Sequence, residues 1–274
     1  MNTPSNKELK KRAHNIRRNV IKMVGRNGQG YVQQGLGAAD LFTYLYLAEA
    51  RLDPADPEWE ARDRIFLSTA HNSAVFHATL AERGFLPEDS LNSYTRDGSK
   101  LEINVSERLG PVVEATCGSL GQGLSVATGM AAAARLKNLP CRFHVILGDG
   151  ELQEGQVWEA AMFAASNGLS NVCLSIDMND LQVEGRTDNV IAMEPVHEKL
   201  SAFGWAVHKV DGHDFDDLRR AFDAARAETG RPTALLVRTL VGKGVPFLEG
   251  KMSHNMVLPE DVAAHALDAL EGAA

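Results

Sequence analysis

Cysteine is scarce in this chain: three thiols in 274 residues, widely spaced at 117, 141 and 173. No CxxC pair and no zinc-ligand pattern relates them. That excludes a disulfide scaffold and a structural zinc site, and it favours a reducing, cytoplasmic compartment. An apolar N-terminal segment of the secretory type is missing, and no hydrophobic run is long enough to span a bilayer. Internal repeats and low-complexity tracts are missing as well. Positive charge is in deficit, with 28 Lys and Arg against 36 Asp and Glu, a net −8. That balance argues against a nucleic-acid surface and against docking on an anionic membrane. The one basic cluster, 7–18, has helical spacing and reads as a solvated helix face.

What is present is ordinary globular material, 44% hydrophobic and 23% charged, with no linker to divide it. A single α/β domain over 1–274 is expected. Helical periodicity covers 7–24 and ends at a glycine-rich turn, 25–30. A second helix is expected at 38–47, a strand at 64–68 and a helix at 73–83. The stretch 94–111 has no clean period and reads as a long functional loop. Then come a strand at 112–117, an alanine-rich helix at 125–136 and a strand at 143–147. A helix at 151–167, a strand at 171–176 and a helix at 196–203 follow. The series closes with strand 206–210, helix 214–228 and strand 233–241. Strands alternating with helices predict a doubly wound, mainly parallel sheet with helices on both faces.

The chemistry concentrates between Leu147 and Gly185. An apolar strand breaks at Gly148-Asp149-Gly150, an amphipathic run follows, and a second strand ends at Asp177-Met178-Asn179. Ligands of open α/β sheets gather at such carboxyl ends. Asp149 and Asn179 are hard oxygen donors of the kind Mg2+ takes, with phosphate and water completing its shell. The glycines let backbone approach a phosphate, and a helix starting at Glu151 offers it free N–H groups. A metal-bound diphosphate is the direct reading; a plain Gly-Asp-Gly turn with an ordinary loop asparagine is the alternative.

The wording GDGELQEG (148–155), with Asn179 beyond it, resembles the thiamin diphosphate motif of the transketolase family. Residues 67–71, LSTAH, are similar to the family's LSxGH, and 113–124, VEATCGSLGQGL, to its VEATTGSLGQGL. Residues 242–249, GKGVPFLE, resemble its GKGVSFME. The resemblance covers nearly the whole chain and implies the thiamin-diphosphate-binding fold. It implies that Asp149, the Asn179 side chain and the Leu181 carbonyl hold Mg2+, with Gly148, Gly150 and Glu151 at the diphosphate. Gly118, Ser119 and Leu120 would line the cofactor's rings. His71 matches a histidine near the diphosphate. Glu154 sits in the QEG element, which helps link the two halves of the active site. His254 aligns with a C-terminal histidine, although Ser253-His254-Asn255 keeps only the His of WHG.

Two positions depart from the family. Tyr31 and Asn104 replace histidines that face the donor sugar's hydroxyls. Neither titrates near neutral pH as histidine does, so a changed substrate pocket is expected. The family's pyrimidine-binding domain, which carries the activating glutamate, is expected on a separately encoded C-terminal subunit in an α2β2 assembly. The function implied is transfer of a two-carbon ketol unit from a ketose to an aldehyde or other carbonyl acceptor. An E1-type component decarboxylating 2-oxoacids, and a non-catalytic paralogue that binds cofactor or partner only, remain as alternatives.

Overall fold

Residues 4–251 and 256–272 are described by the computed structural model. The chain begins with α1 (Asn6–Asn27), β1 (Gln29–Gly30), α2 (Val32–Tyr44), β2 (Arg64–Leu67) and α3 (Ser73–Arg83). Then follow α4 (Gln122–Leu136), β3 (Phe143–Gly148), α5 (Gly155–Ser166) and β4 (Val172–Met178). A small hairpin, β5 (Leu181–Gln182) and β6 (Gly185–Arg186), leads through α6 (Thr187–Val190) to α7 (Val196–Phe203). The rest is β7 (Ala206–Asp211), α8 (Phe215–Ala227), β8 (Thr233–Arg238), β9 (Met256–Val257) and α9 (Glu260–Gly272).

Five strands form one sheet in the order β2-β3-β4-β8-β7, and every pairing is parallel. Their side chains divide between two cores. Val145, Leu147, Leu174, Ile176 and Leu236 pack on one face with Leu124, Ala161 and Leu200 of α4, α5 and α7. Ile146, Cys173, Leu235 and Val237 pack on the other with Val20, Leu36, Val75 and Phe222 of α1, α2, α3 and α8. Strands buried on both faces carry near-continuous apolar runs, which is why 143–147 and 171–176 stand out in the sequence. The fold is doubly wound, as the alternation of strands and helices implies. All three cysteines are free and buried. Among the described residues no helix is long and apolar enough to cross a membrane.

Several boundaries differ for identifiable reasons. Helix α1 runs through Gly25 because that glycine lies against α9, where an added Cβ would come 2.5 Å from that of Ala263. It stops at Gly28, whose φ of 84° is left-handed. Helix α2 starts at Val32, before the expected 38, and every residue in it is buried. Residues 112–117 form no strand. Glu114 is drawn inward to ion pairs with Arg62 and Arg64, and the chain there follows those contacts instead of a ladder. Strand β8 ends at Arg238, short of 241, because the backbone turns away to α2, where Gly242 N–H donates to Gln33 O at 2.8 Å. Helix α9 lies beyond the last element that the sequence pattern predicts, with Ala263, Ala266 and Leu270 buried at helical spacing behind Glu260 and Asp261.

Candidate functional site

The chain leaves β2 toward α3 on one face of the sheet and leaves β3 toward α5 on the other. Neighbouring strands whose connections part in this way open a crevice beyond their carboxyl ends. Here the crevice is a cleft of about 220 Å³. Thr69 and His71 line it from β2, Gly148 to Glu151 from β3, and Asp177, Asn179 and Leu181 from β4. Leu120, Glu154 and the β5–β6 hairpin form its rim.

Asp149 is 5% exposed. Its Oδ1 accepts the Gly150 N–H at 2.8 Å and its Oδ2 the Asp180 N–H at 2.6 Å. Asp180 aims that N–H by taking a left-handed φ of 64°, which Asp tolerates better than most residues. Asn179 Oδ1 accepts the Leu181 N–H at 3.0 Å, while its Nδ2 donates to Asp177 Oδ2 at 3.1 Å. Burial first, then the charge of Asp177, pushes the Asp149 carboxyl up to about 7. Burial raises Asp177 as well. The Arg238 guanidinium nearby pairs with Asp180 at 2.9 Å. Two buried carboxyl groups side by side are stabilised in their ionised form by a divalent cation. The donor set therefore fits one.

Glu151 faces inward. Its Oε1 accepts the Ser68 hydroxyl at 2.6 Å and the Gly121 N–H at 2.8 Å, and its Oε2 accepts the Gly148 N–H at 2.9 Å. One buried carboxylate thus ties the ends of β2 and β3 to the turn before α4. That turn needs glycine: Gly121 has φ +82°, and a Cβ there would lie 2.8 Å from Glu154 Cβ. The helix expected from Glu151 is consequently a 3-10 turn over Asp149–Gln153, with α5 proper starting at Gly155. Glu151→Gln must turn an amide NH2 toward one of these three donors. It is expected to lower stability by about 1–3 kcal/mol. Urea unfolding reads the change, and an unmoved midpoint would show that the carboxylate is not the staple.

Tyr31, just before α2, packs its ring on His71 with centroids 5.3 Å apart and planes at 52°. Burial pushes its phenol up. Asn104 is exposed on a loop sewn to the same wall, where Val105 N–H donates to Ala70 O at 3.1 Å. The Ser73 hydroxyl holds Ile103 O at 2.7 Å. Both positions therefore border the segment that carries His71. Gly118 and Ser119 are exposed on the turn leading to Leu120. His254 lies outside the described residues.

Residues 9–270 match the family model described as the transketolase, thiamine diphosphate binding domain. The chain belongs to that family. The 6-deoxy-6-sulfo-D-fructose transketolase subunit of a Clostridium species is 38% identical over 265 residues, covering 96% of both chains. An apulose-4-phosphate transketolase subunit from Actinobacillus succinogenes is 34% identical over 96% of both. Among solved structures, the transketolase of Campylobacter jejuni superposes with a TM-score of 0.90 at 28% identity. That match covers 98% of this chain and 43% of the solved one, so the chain spans less than half of a full transketolase. Within this transketolase domain, two residues given no role from the sequence stand out: Asp177 and Thr239, whose hydroxyl donates to Asp177 Oδ1. Asp177 carried a signal, an acid near the end of the otherwise largely apolar strand β4. Thr239 carried none, because its partner lies far away in the chain.

Proposed function

We propose that this chain is the thiamin-diphosphate- and Mg2+-binding part of a transketolase-type enzyme. It works in the cytoplasm with a partner subunit that brings the pyrimidine-binding domain and its glutamate, in an α2β2 assembly. Together they transfer a two-carbon ketol unit from a ketose to a carbonyl acceptor. The observation that carries this reading is the acidic corner, Asp149, Asn179 and Asp177, at the mouth of the crevice between β2 and β3. Among the described residues no three His, Cys, Asp or Glu side chains converge as a metal cage. A hard cation here would instead take the Asp149 carboxylate, the Asn179 amide oxygen, the Leu181 carbonyl and phosphate oxygens.

Thiamin diphosphate, when bound, supplies the nucleophilic carbon and the electron sink. The protein supplies the rest. Gly150 leaves the backbone beside Asp149 bare of a side chain, where a Cβ would already meet Gln182 Cβ at 3.3 Å, and its N–H is held by Asp149 Oδ1 at 2.8 Å. His71 stands on the β2 side of the cleft with a ring nitrogen able to donate or accept a proton. Tyr31 and Asn104 shape the sugar end of the pocket. Glu154 is exposed at the start of α5 on the rim, and in this proposal it meets the partner.

The two related subunits are named for 6-deoxy-6-sulfo-D-fructose and for apulose 4-phosphate, neither of them the usual pentose phosphate, which supports an unusual ketose donor here. Two histidine hydrogen bonds lost from the sugar would weaken a conventional donor by about one to two powers of ten. Reconstituting the chain with its partner and assaying a donor panel tests the proposal. Turnover is expected only with the partner present, and poorly with xylulose 5-phosphate and ribose 5-phosphate. Tyr31→His with Asn104→His is expected to raise activity on that pair. Robust turnover by the lone chain, decarboxylation of pyruvate, or ordinary efficiency on the pentose phosphates would each overturn the corresponding part.

A further inference from the structure

We infer that Asp177, held by Thr239, is a positioning residue that fixes which end of the Asn179 amide faces the cleft. The inference rests on the reading of Asn179 as a metal ligand and adds the device that makes it one. An asparagine amide has a donor end and an acceptor end of nearly equal shape, and only the oxygen can bind a cation. Left alone in a cleft, Asn179 would sample both orientations.

Two contacts remove the choice. Asp177 Oδ2 accepts from Asn179 Nδ2 at 3.1 Å, and the Leu181 N–H donates to Asn179 Oδ1 at 3.0 Å. Reversing the amide would set its oxygen against a carboxylate and its NH2 against an N–H, so both contacts would turn repulsive. Asp177 cannot swing away to relieve them. It is 2% exposed, and its other oxygen accepts the Thr239 hydroxyl.

The anchor extends further. Thr239 leads into Leu240, whose N–H donates to His213 Nε2 at 2.9 Å. His213 therefore carries its proton on Nδ1 and donates it to Asp40 Oδ2 at 2.9 Å. Asp40 is in turn gripped by Arg17, with Nη1 at 3.0 Å from Oδ1. A series of contacts thus runs from α1 and α2 to the amide at the cleft, buried at Arg17 and Asp40, part-buried at His213, and continued along the backbone from Leu240 to Thr239. Partners behind a metal ligand are commonly worth ten- to a hundredfold in affinity.

Electron paramagnetic resonance of free Mn2+, standing in for Mg2+ and titrated with the full chain and thiamin diphosphate, tests the assignment without any need for turnover. Asp177→Ala is expected to weaken Mn2+ binding by about ten- to a hundredfold. Asp177→Asn keeps an oxygen toward Asn179, and the Thr239 hydroxyl can reverse to accept its NH2. It is expected to lose several-fold less affinity than Asp177→Ala, because orientation survives although the charge is gone. Thr239→Val leaves the charge but frees the carboxylate to rotate, and a loss of several-fold is expected. Melting curves confirm that each variant is folded; Asp177→Asn and Thr239→Val decide the matter if Asp177→Ala is not. Equal loss in Asp177→Asn and Asp177→Ala, with none in Thr239→Val, would mean that Asp177 acts by its charge, and the inference falls. Wild-type affinity in Asp177→Ala would also overturn it while leaving Asn179 a ligand. Failure of wild type to bind Mn2+ with the cofactor would instead remove the metal site itself, and the inference with it.

Discussion

Exchanging Asp149 for alanine is expected to abolish retention of Mg2+ and thiamin diphosphate, with affinity falling at least about a hundredfold. Of the three protein groups proposed to bind the cation, Asn179 and the Leu181 carbonyl are neutral. Asp149 is the only one with a charge to set against the metal. Removing a supporting partner already costs roughly 10–100-fold in metal sites, and removing the charged ligand itself should cost more. The substitution also frees the Gly150 and Asp180 N–H groups that the carboxylate holds at 2.8 and 2.6 Å. Asp149→Asn separates the two effects, since it can accept at least one of those bonds without the charge. Calorimetric titration of cofactor with metal should show strong loss in both variants and the deeper loss in alanine. Unchanged affinity in Asp149→Ala would sink the assignment of this corner as the metal site.

The corner was legible because its parts are local. Strand, Gly-Asp-Gly break and second strand are contiguous in the chain, and parallel strands buried on both faces announce themselves as unbroken apolar runs. Glu151 shows where local reading fails. Its position after Gly150 suggests the start of a long helix, yet the chain makes a 3-10 turn there and its carboxylate is taken by Ser68, Gly121 and Gly148. Two of those partners are distant in sequence, so nothing near Glu151 announces them. Residues 112–117 mislead for the same reason. Their β-branched pattern is real, but burial of Glu114 against Arg62 and Arg64 decides the path. His213 belongs to no motif, and it is satisfied on both nitrogens. The sequence does not show that its two partners connect α2 to the segment beyond β8.

A pH-dependent loss of stability is expected from two histidines far from this corner. His77 and His144 are 0% and 1% exposed, and burial pushes both down to about 4 from the ordinary 6.5. The folded chain therefore keeps them neutral through a range in which the unfolded chain protonates them. Their contribution is whole above pH 6.5, falls as the pH drops toward 4, and is constant below that. At pH 5 each should cost about 2 kcal/mol relative to pH 7, at 1.36 kcal/mol per unit. Glu49, raised to about 7 by burial, has the opposite sign: its folded form takes up a proton first, which favours the fold as the pH falls through 7 toward 4.5. The total slope mixes these effects, so the test is a difference. Neither ring nitrogen of His144 has a hydrogen-bond partner among the described residues, so His144→Leu removes the titration without orphaning a donor or acceptor. The charged groups around it, Asp63, Arg142, Arg226 and Arg51, stay in place. Urea unfolding at pH 7 and pH 5 should show the variant gaining about 2 kcal/mol on wild type between the two. Parallel stability curves for variant and wild type would mean that His144 takes up its proton as readily in the folded chain as in the unfolded one.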